Sequence, residues 1–177
     1  MLLAALTDDN ENTRPLVIDE DIFPAIAGGS RDAFCQLYEE AAGAVYAYAL
    51  SILHNRDDAD DVMQDTFMKI RSAAHLYRPM GKPLAWIFTI TRNLCLMKYR
   101  SQKRISPEPA EGITEGKAFE AITDLEDRMV METAFKVLKD DERQIIILHA
   151  VTGMKHREIA EIMGSPLSTV LSKYNRG

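Results

Sequence analysis

The chain has 177 residues, 46% of them hydrophobic, and a formal net charge of −6 at pH 7, which is enough apolar content to fill one domain or two small ones. No run approaches the roughly 18 consecutive apolar residues of a membrane span, and Met1–Leu6 lacks the basic flank of a signal peptide. The expected compartment is therefore the cytoplasm, with no membrane insertion. Cys35 and Cys95 lie far apart without paired Cys/His spacing, which excludes a disulfide framework and a metal knuckle. Both fall among apolar residues at helical spacing and are expected in the core.

Taken in chain order, residues 1–20 carry Asp8, Asp9, Glu11, Asp19 and Glu20 against the single Arg14. That composition predicts a flexible acidic extension, with Leu16, Val17 and Ile18 as a candidate docking patch. Asp32 to His54 then sets Phe34, Leu37, Tyr38, Val45, Tyr48, Ala49 and Ile52 at three- to four-residue spacing, the period of a buried helix face. Asp57 to Ala73 predicts a second helix, opened by carboxylates that complement its N-terminal dipole and turning Val62, Thr66, Phe67 and Ile70 inward. Pro79, Gly81 and Pro83 break the pattern between Tyr77 and Pro83. A third helix follows from Leu84 to about Lys103, with Ile87, Ile90, Leu94 and Met97 on one face.

Charge segregates sharply along this order. Between Phe67 and Pro107 there is no acidic side chain, yet Lys69, Arg71, Arg78, Lys82, Arg92, Lys98, Arg100, Lys103 and Arg104 are all present. Tyr77, Trp86, Phe88 and Tyr99 are interleaved with them, a pattern that suits phosphates and unstacked bases. Residues 105–127 reverse the balance, with seven acidic side chains and one basic. Pro107, Pro109, Gly112 and Gly116 make 105–124 a solvated acidic linker by composition. The expected domains are a helical module over 21–104 and a second over 125–177.

The second module ends in a helix-turn-helix pattern. Glu158 to Met163 reads as a short helix, Gly164 permits a left-handed turn, Ser165 is placed to cap the next helix and Pro166 fits its first position. Small Ala160 allows close approach of the helices, and Val170 fills the angle between them. Ser165, Ser168, Thr169, Ser172, Lys173, Asn175 and Arg176 are the candidates to face a DNA groove.

The ordered set of motifs resembles an extracytoplasmic-function (ECF, group 4) sigma factor of the sigma-70 class. Asp32-Ala-Phe-Cys-Gln-Leu-Tyr38 is similar to the opening of that family's promoter-melting domain, and Asp57-Asp-Ala-Asp-Asp-Val-Met-Gln-Asp-Thr-Phe67 to its polymerase-binding helix. Pro83-Leu-Ala-Trp-Ile-Phe-Thr-Ile-Thr-Arg-Asn93 resembles the helix that handles the −10 element. Glu142-Arg143, Glu158-Ile-Ala160 and Ser168-Thr-Val170 resemble the −35 reader.

The resemblance implies an all-α fold of two helical domains and a function in transcription initiation, without catalysis, cofactor, metal or small-molecule substrate. It implies that Asp58, Asp61, Gln64 and Asp65 contact the clamp helices of the polymerase largest subunit, with the polymerase flap as a further contact. It implies that the Tyr77–Lys82 break captures a flipped base, and that Arg78, Lys82, Trp86, Thr89, Arg92, Asn93 and Arg100 serve the −10 element. Promoter DNA and an anti-sigma factor are the other implied partners. Met97 stands where the family usually has an acid, and Leu171 where it commonly has a base. The sequence stops at Gly177 where relatives usually continue the recognition helix, so either weak −35 binding or a need for a further tail is expected.

Two other readings use the same residues. A helix-turn-helix regulator acting without polymerase explains Ser165 to Arg176 but leaves the Asp58–Asp65 face and the cationic stretch idle. A magnesium-dependent phosphotransfer enzyme would use the Asp57–Asp61 carboxylates, but it needs a second acidic motif that the sequence lacks.

Overall fold

The computed structural model describes residues 15–105 and 138–176, and among these it is helical without strands. Residues 1–14, nearly all of the acidic linker expected over 105–124, and the side chains of Lys103 and Arg104 lie outside the described residues. The elements are α1 (Ile22–Ala27), α2 (Arg31–Leu53), α3 (Arg56–Ala73), a 3-10 turn (Ala74–Leu76), α4 (Pro83–Ile105), α5 (Asp140–Thr152), α6 (His156–Met163) and α7 (Leu167–Tyr174).

Local chemistry sets the ends of these helices. The Ser30 side chain accepts the Ala33 amide at 3.2 Å, and Asn55 accepts the Asp58 amide at 3.0 Å, so each satisfies an orphan donor of α2 or α3. Pro83 opens α4 as its first residue, a place where its missing N–H costs nothing. At α5 and α6 the third-position glutamates reach back, Glu142 accepting the Lys139 amide at 3.3 Å and Glu158 the Lys155 amide at 2.9 Å.

The helix-turn-helix corner differs from expectation by one residue. Pro166, expected as the first helical residue, is the N-cap with ψ 144°, and Ser165 makes no cap bond to the next helix. The Pro166 carbonyl instead accepts the Thr169 and Val170 amides at 3.0 and 3.2 Å. Gly164 makes the corner at φ +60°, and Ala160 and Val170 are buried at the crossing.

The first module packs α3 and α4 around α2, with α1 at one end. From Ala44 to Leu53 every residue of α2 is buried, the signature of a helix enclosed on all sides. Ala41, Ala47 and Ala49 are fully buried there, and their small side chains let neighbouring backbones approach. On α4 the buried residues are Ile87, Phe88, Thr91 and Cys95, one helical stripe. Met97, expected on the inner face, is 64% exposed; the stripe runs through Cys95, two residues earlier. Cys35, expected in the core, is exposed while Cys95 is buried. Leu37 points inward, so Cys35 falls on the solvent side of α2.

The second module lies directly on the first. α5 packs on α2, α6 packs on α4, and the buried apolar residues of both modules form one continuous cluster. Polar ties reinforce the junction: His54 Nε2 lies 3.2 Å from an Asp140 oxygen, and Arg143 Nη1 lies 3.2 Å from His54 Nδ1. Arg143 also donates to the Leu138 carbonyl at 2.8 Å. The segment from Pro15 bridges the modules as well. A side chain on Gly153, which closes α5 at φ +71°, would meet Pro15 Cβ at 2.6 Å, so glycine is required there for backbone angle and for close approach.

Two outcomes follow from this packing. Ala47→Leu adds apolar volume where there is no room, and it should destabilise the chain by about 1–3 kcal/mol in chemical denaturation despite its greater hydrophobicity. His54 is held below its ordinary pKa of 6.5, first by burial and then by the Arg143 guanidinium, against the opposing pull of Asp140. A depressed base protonates first in the unfolded chain, so stability is full above 6.5 and is lost as pH falls towards the folded value. His54→Asn suits the left-handed backbone at φ 55° and should flatten that acid limb, measured by urea denaturation at a series of pH values.

Candidate nucleic-acid and polymerase interfaces

The α3 carboxylates lie along a single helix face, because residues 58, 61 and 65 are spaced three and four apart. Asp61, Gln64 and Asp65 are exposed, and Gln64 donates to Asp60 at 2.8 Å. Asp58 is drawn back, its side chain 18% exposed. Lys98 of α4 reaches across to Asp58 at 3.0 Å and Asp61 at 2.6 Å, and Gln102 also donates to Asp58. Burial lowers the Lys98 pKa and the bonds to Asp61 and Asp58 raise it, with a net upward shift. Lys98 is thus a cation of the basic stretch that serves the acidic face, a pairing that periodicity alone does not reveal.

Among the described residues, no group of three or more His, Cys, Asp or Glu side chains has metal-holding geometry.

The break before α4 and the outer side of that helix carry the −10 candidates. Arg78, Thr89, Asn93 and Arg100 are exposed, and the Thr89 hydroxyl donates to the Ala85 carbonyl at 2.7 Å. Trp86 is half-buried, edge-on to Phe23 and Tyr77 at 5.2 Å each, so it belongs to a ring cluster and still reaches the surface. Lys82 and Arg92 are half-buried and engaged by the second module: Lys82 donates to Glu161 at 3.1 Å, and Arg92 donates to Gln144 at 2.8 Å.

One contributor was absent from the sequence-based site. A single oxygen of Glu20 accepts the Gly81 amide at 2.8 Å, the Met80 amide at 3.2 Å and the Tyr77 hydroxyl. The stretch 15–20, expected within a flexible arm, is anchored here: Ile18 is buried and Leu16 packs on the core, while Val17 is 75% exposed. The only sequence signal was the apolar run Leu16–Ile18.

In the second module Ser168, Ser172, Asn175 and Arg176 are exposed on or just beyond α7, and Ser165 and Thr169 are half-buried. Lys173 is tied to Asp141 of α5, and Arg176 Nε donates to the Ser172 carbonyl at 3.2 Å. Behind this surface the His149 and His156 rings stack at 4.6 Å, with Tyr174 edge-on to both. This cluster packs α7 against α5 and α6.

Comparison with known proteins gives the family. Residues 37–105 match the Sigma-70 region 2 family, and residues 128–177 match Sigma-70, region 4. The ECF RNA polymerase sigma factor EcfG of Rhodopseudomonas palustris (strain TIE-1) is 30% identical over 139 residues, covering 77% of this chain and 76% of that one. The ECF RNA polymerase sigma factor SigK of Mycobacterium ulcerans (strain Agy99) is 26% identical over 156 residues, covering 84% and 83%.

Among solved structures, the sigma factor RpoE of Bartonella quintana, in complex with the anti-sigma factor NepR, has a TM-score of 0.66 and 28% identity over 83% of this chain and 92% of that chain. CnrH, in complex with the cytosolic domain of CnrY, has a TM-score of 0.61 and 25% identity over 89% and 90%. With two helical modules in the order region 2 then region 4, an acidic face on the first and a helix-turn-helix in the second, this chain belongs to the ECF RNA polymerase sigma factors.

Proposed function

We propose that the chain works in the cytoplasm as the promoter-reading subunit of RNA polymerase and performs no bond chemistry itself. In this reading the module over 21–104 docks on the clamp helices of the core enzyme through Asp58, Asp61, Gln64 and Asp65. It opens the −10 element with Arg78, Lys82, Trp86, Thr89, Arg92, Asn93 and Arg100. The linker over 105–124 spans to the module over 125–177, which reaches the flap and reads the −35 element from α7. Phosphate contacts supply salt-dependent affinity blind to sequence, while base edges and a base flipped into the Tyr77–Lys82 loop select the promoter. Unstacking costs a few kcal/mol per base, so the ring cluster beside that loop offsets it by stacking.

The observation that carries this reading is the separation of two exposed surfaces of opposite charge on adjacent helices. Asp61, Gln64 and Asp65 are exposed on α3, while Arg78, Asn93 and Arg100 are exposed at and along α4. A DNA-only regulator has no use for the first surface. RpoE was solved with an anti-sigma factor, and a regulator of that class, covering the same two surfaces, is the proposed inhibitor of this chain.

Runoff transcription with core polymerase on a promoter library tests the reading as a whole; core enzyme that ignores the chain overturns it. Asp65→Lys should weaken binding to core polymerase by about tenfold and leave affinity for single-stranded promoter DNA unchanged. Fluorescence competition for core and anisotropy for DNA measure the two separately.

A further inference from the structure

The loop between the 3-10 turn and α4 has little regular backbone bonding of its own. The Tyr77 amide closes the turn on the Ala74 carbonyl at 3.1 Å, and the Trp86 amide opens α4 on the Lys82 carbonyl at 3.3 Å. Between them the Met80 and Gly81 amides turn towards Glu20, which also receives the Tyr77 hydroxyl. Gly81 has φ +68°, which curls the chain around that one oxygen. The donors come from residues 57 to 61 positions away in sequence. They hold the carboxyl below its ordinary range, the Tyr77 hydroxyl most of all.

Three residues beyond Glu20, Phe23 is fully buried. Its ring lies 4.1 Å from that of Tyr77 and 5.2 Å from that of Trp86. Residues 20 to 23 therefore fix both the backbone of the loop and the aromatic wall beside it. Arg78 and Met80 remain exposed on the outside, and Met80 is 75% exposed.

We propose that Glu20 is a positioning residue for base selection: by clasping Tyr77, Met80 and Gly81 it sets the shape in which the loop meets an unpaired base. The proposal rests on the reading of Tyr77–Lys82 as the base-capturing loop. A captured base is identified by hydrogen bonds to its edge, and these survive only within a few tenths of an ångström of their preferred length. A loop released from its clasp still offers rings and cations, which attract any base. It loses the fixed donors and acceptors that distinguish one base from another.

The test uses the full chain with core polymerase on templates that carry each of the four bases at each unpaired position of the −10 element. Glu20→Ala should reduce the preference for the best over the worst base at the captured position by about tenfold. Glu20→Gln keeps an acceptor at the same reach and should hold the preference within about twofold of the parent. Tyr77→Phe removes one of the three donors and should fall between them. Affinity for core polymerase should be unchanged throughout.

Equal weakening by Glu20→Ala on all four templates, with the ratios kept, reduces Glu20 to a structural part and overturns the proposal. A Glu20→Gln loss as large as that of Glu20→Ala also overturns it, because acceptor geometry would then not be the cause. If Glu20→Ala fails to fold, Tyr77→Phe decides: an unchanged preference overturns the proposal. A parent chain with no base preference at any unpaired position instead refutes the base-capture reading, a result told apart by its appearance before any substitution.

Discussion

The structure depends on the enclosure of α2. A helix buried on one stripe needs one partner layer, but a helix buried all round from Ala44 to Leu53 needs partners on every side. Helices α3 and α4 supply two of these, α1 covers one end, and α5 comes from the other module. Helix identity follows from this enclosure. The alanines of α2 set how closely the neighbours lie, and that spacing fixes the outward faces of α3 and α4. The carboxylate surface and the cationic surface are thus two exteriors of one packing arrangement.

Charge in this chain is used twice. Lys98 belongs by sequence to the cationic stretch, yet it bridges Asp58 and Asp61. Lys82 and Arg92 are among the residues proposed for the −10 element, yet they are taken by Glu161 and Gln144 of the second module. An exposed ion pair such as Lys82–Glu161 contributes about 0–1 kcal/mol, so it orients the side chain more than it stabilises the fold.

The long elements were legible in the sequence because their apolar period was long and Pro79, Gly81 and Pro83 marked a break. The helices expected to begin near Asp32, Asp57 and Leu84 appear within a residue of those positions, and the Gly164 corner takes the left-handed backbone that glycine favours. What was not legible has physical causes. Helix α4 is apolar over so wide an arc that period alone did not choose between Met97 and Cys95 for the inner stripe, and α2 posed the same problem for Cys35. Helix α1, six residues long with Pro24 inside it, is too short to show a period. Glu20 was one more carboxylate in an acidic stretch, since its three donors are far away in the chain and only the fold unites them. The candidate residues on α3 and α4 came from the family resemblance and those on α7 from the helix-turn-helix pattern, whereas their intramolecular partners required the tertiary arrangement.

The polar ties across the module junction bear on how the molecule responds to ionic strength. Dissolved ions weaken the exposed Lys82–Glu161 pair only in part, because its 3.1 Å separation is well inside the screening length of about 10 Å at 0.1 M, and in the proposed reading what they release is a cation for the duplex. The same ions compete with that cation for phosphate and weaken its hold there. The two effects have opposite signs at one side chain. Occupancy on DNA should therefore decline with added electrolyte more gently than a tally of basic residues implies, because part of what screening removes from the complex it has already removed from the closed protein.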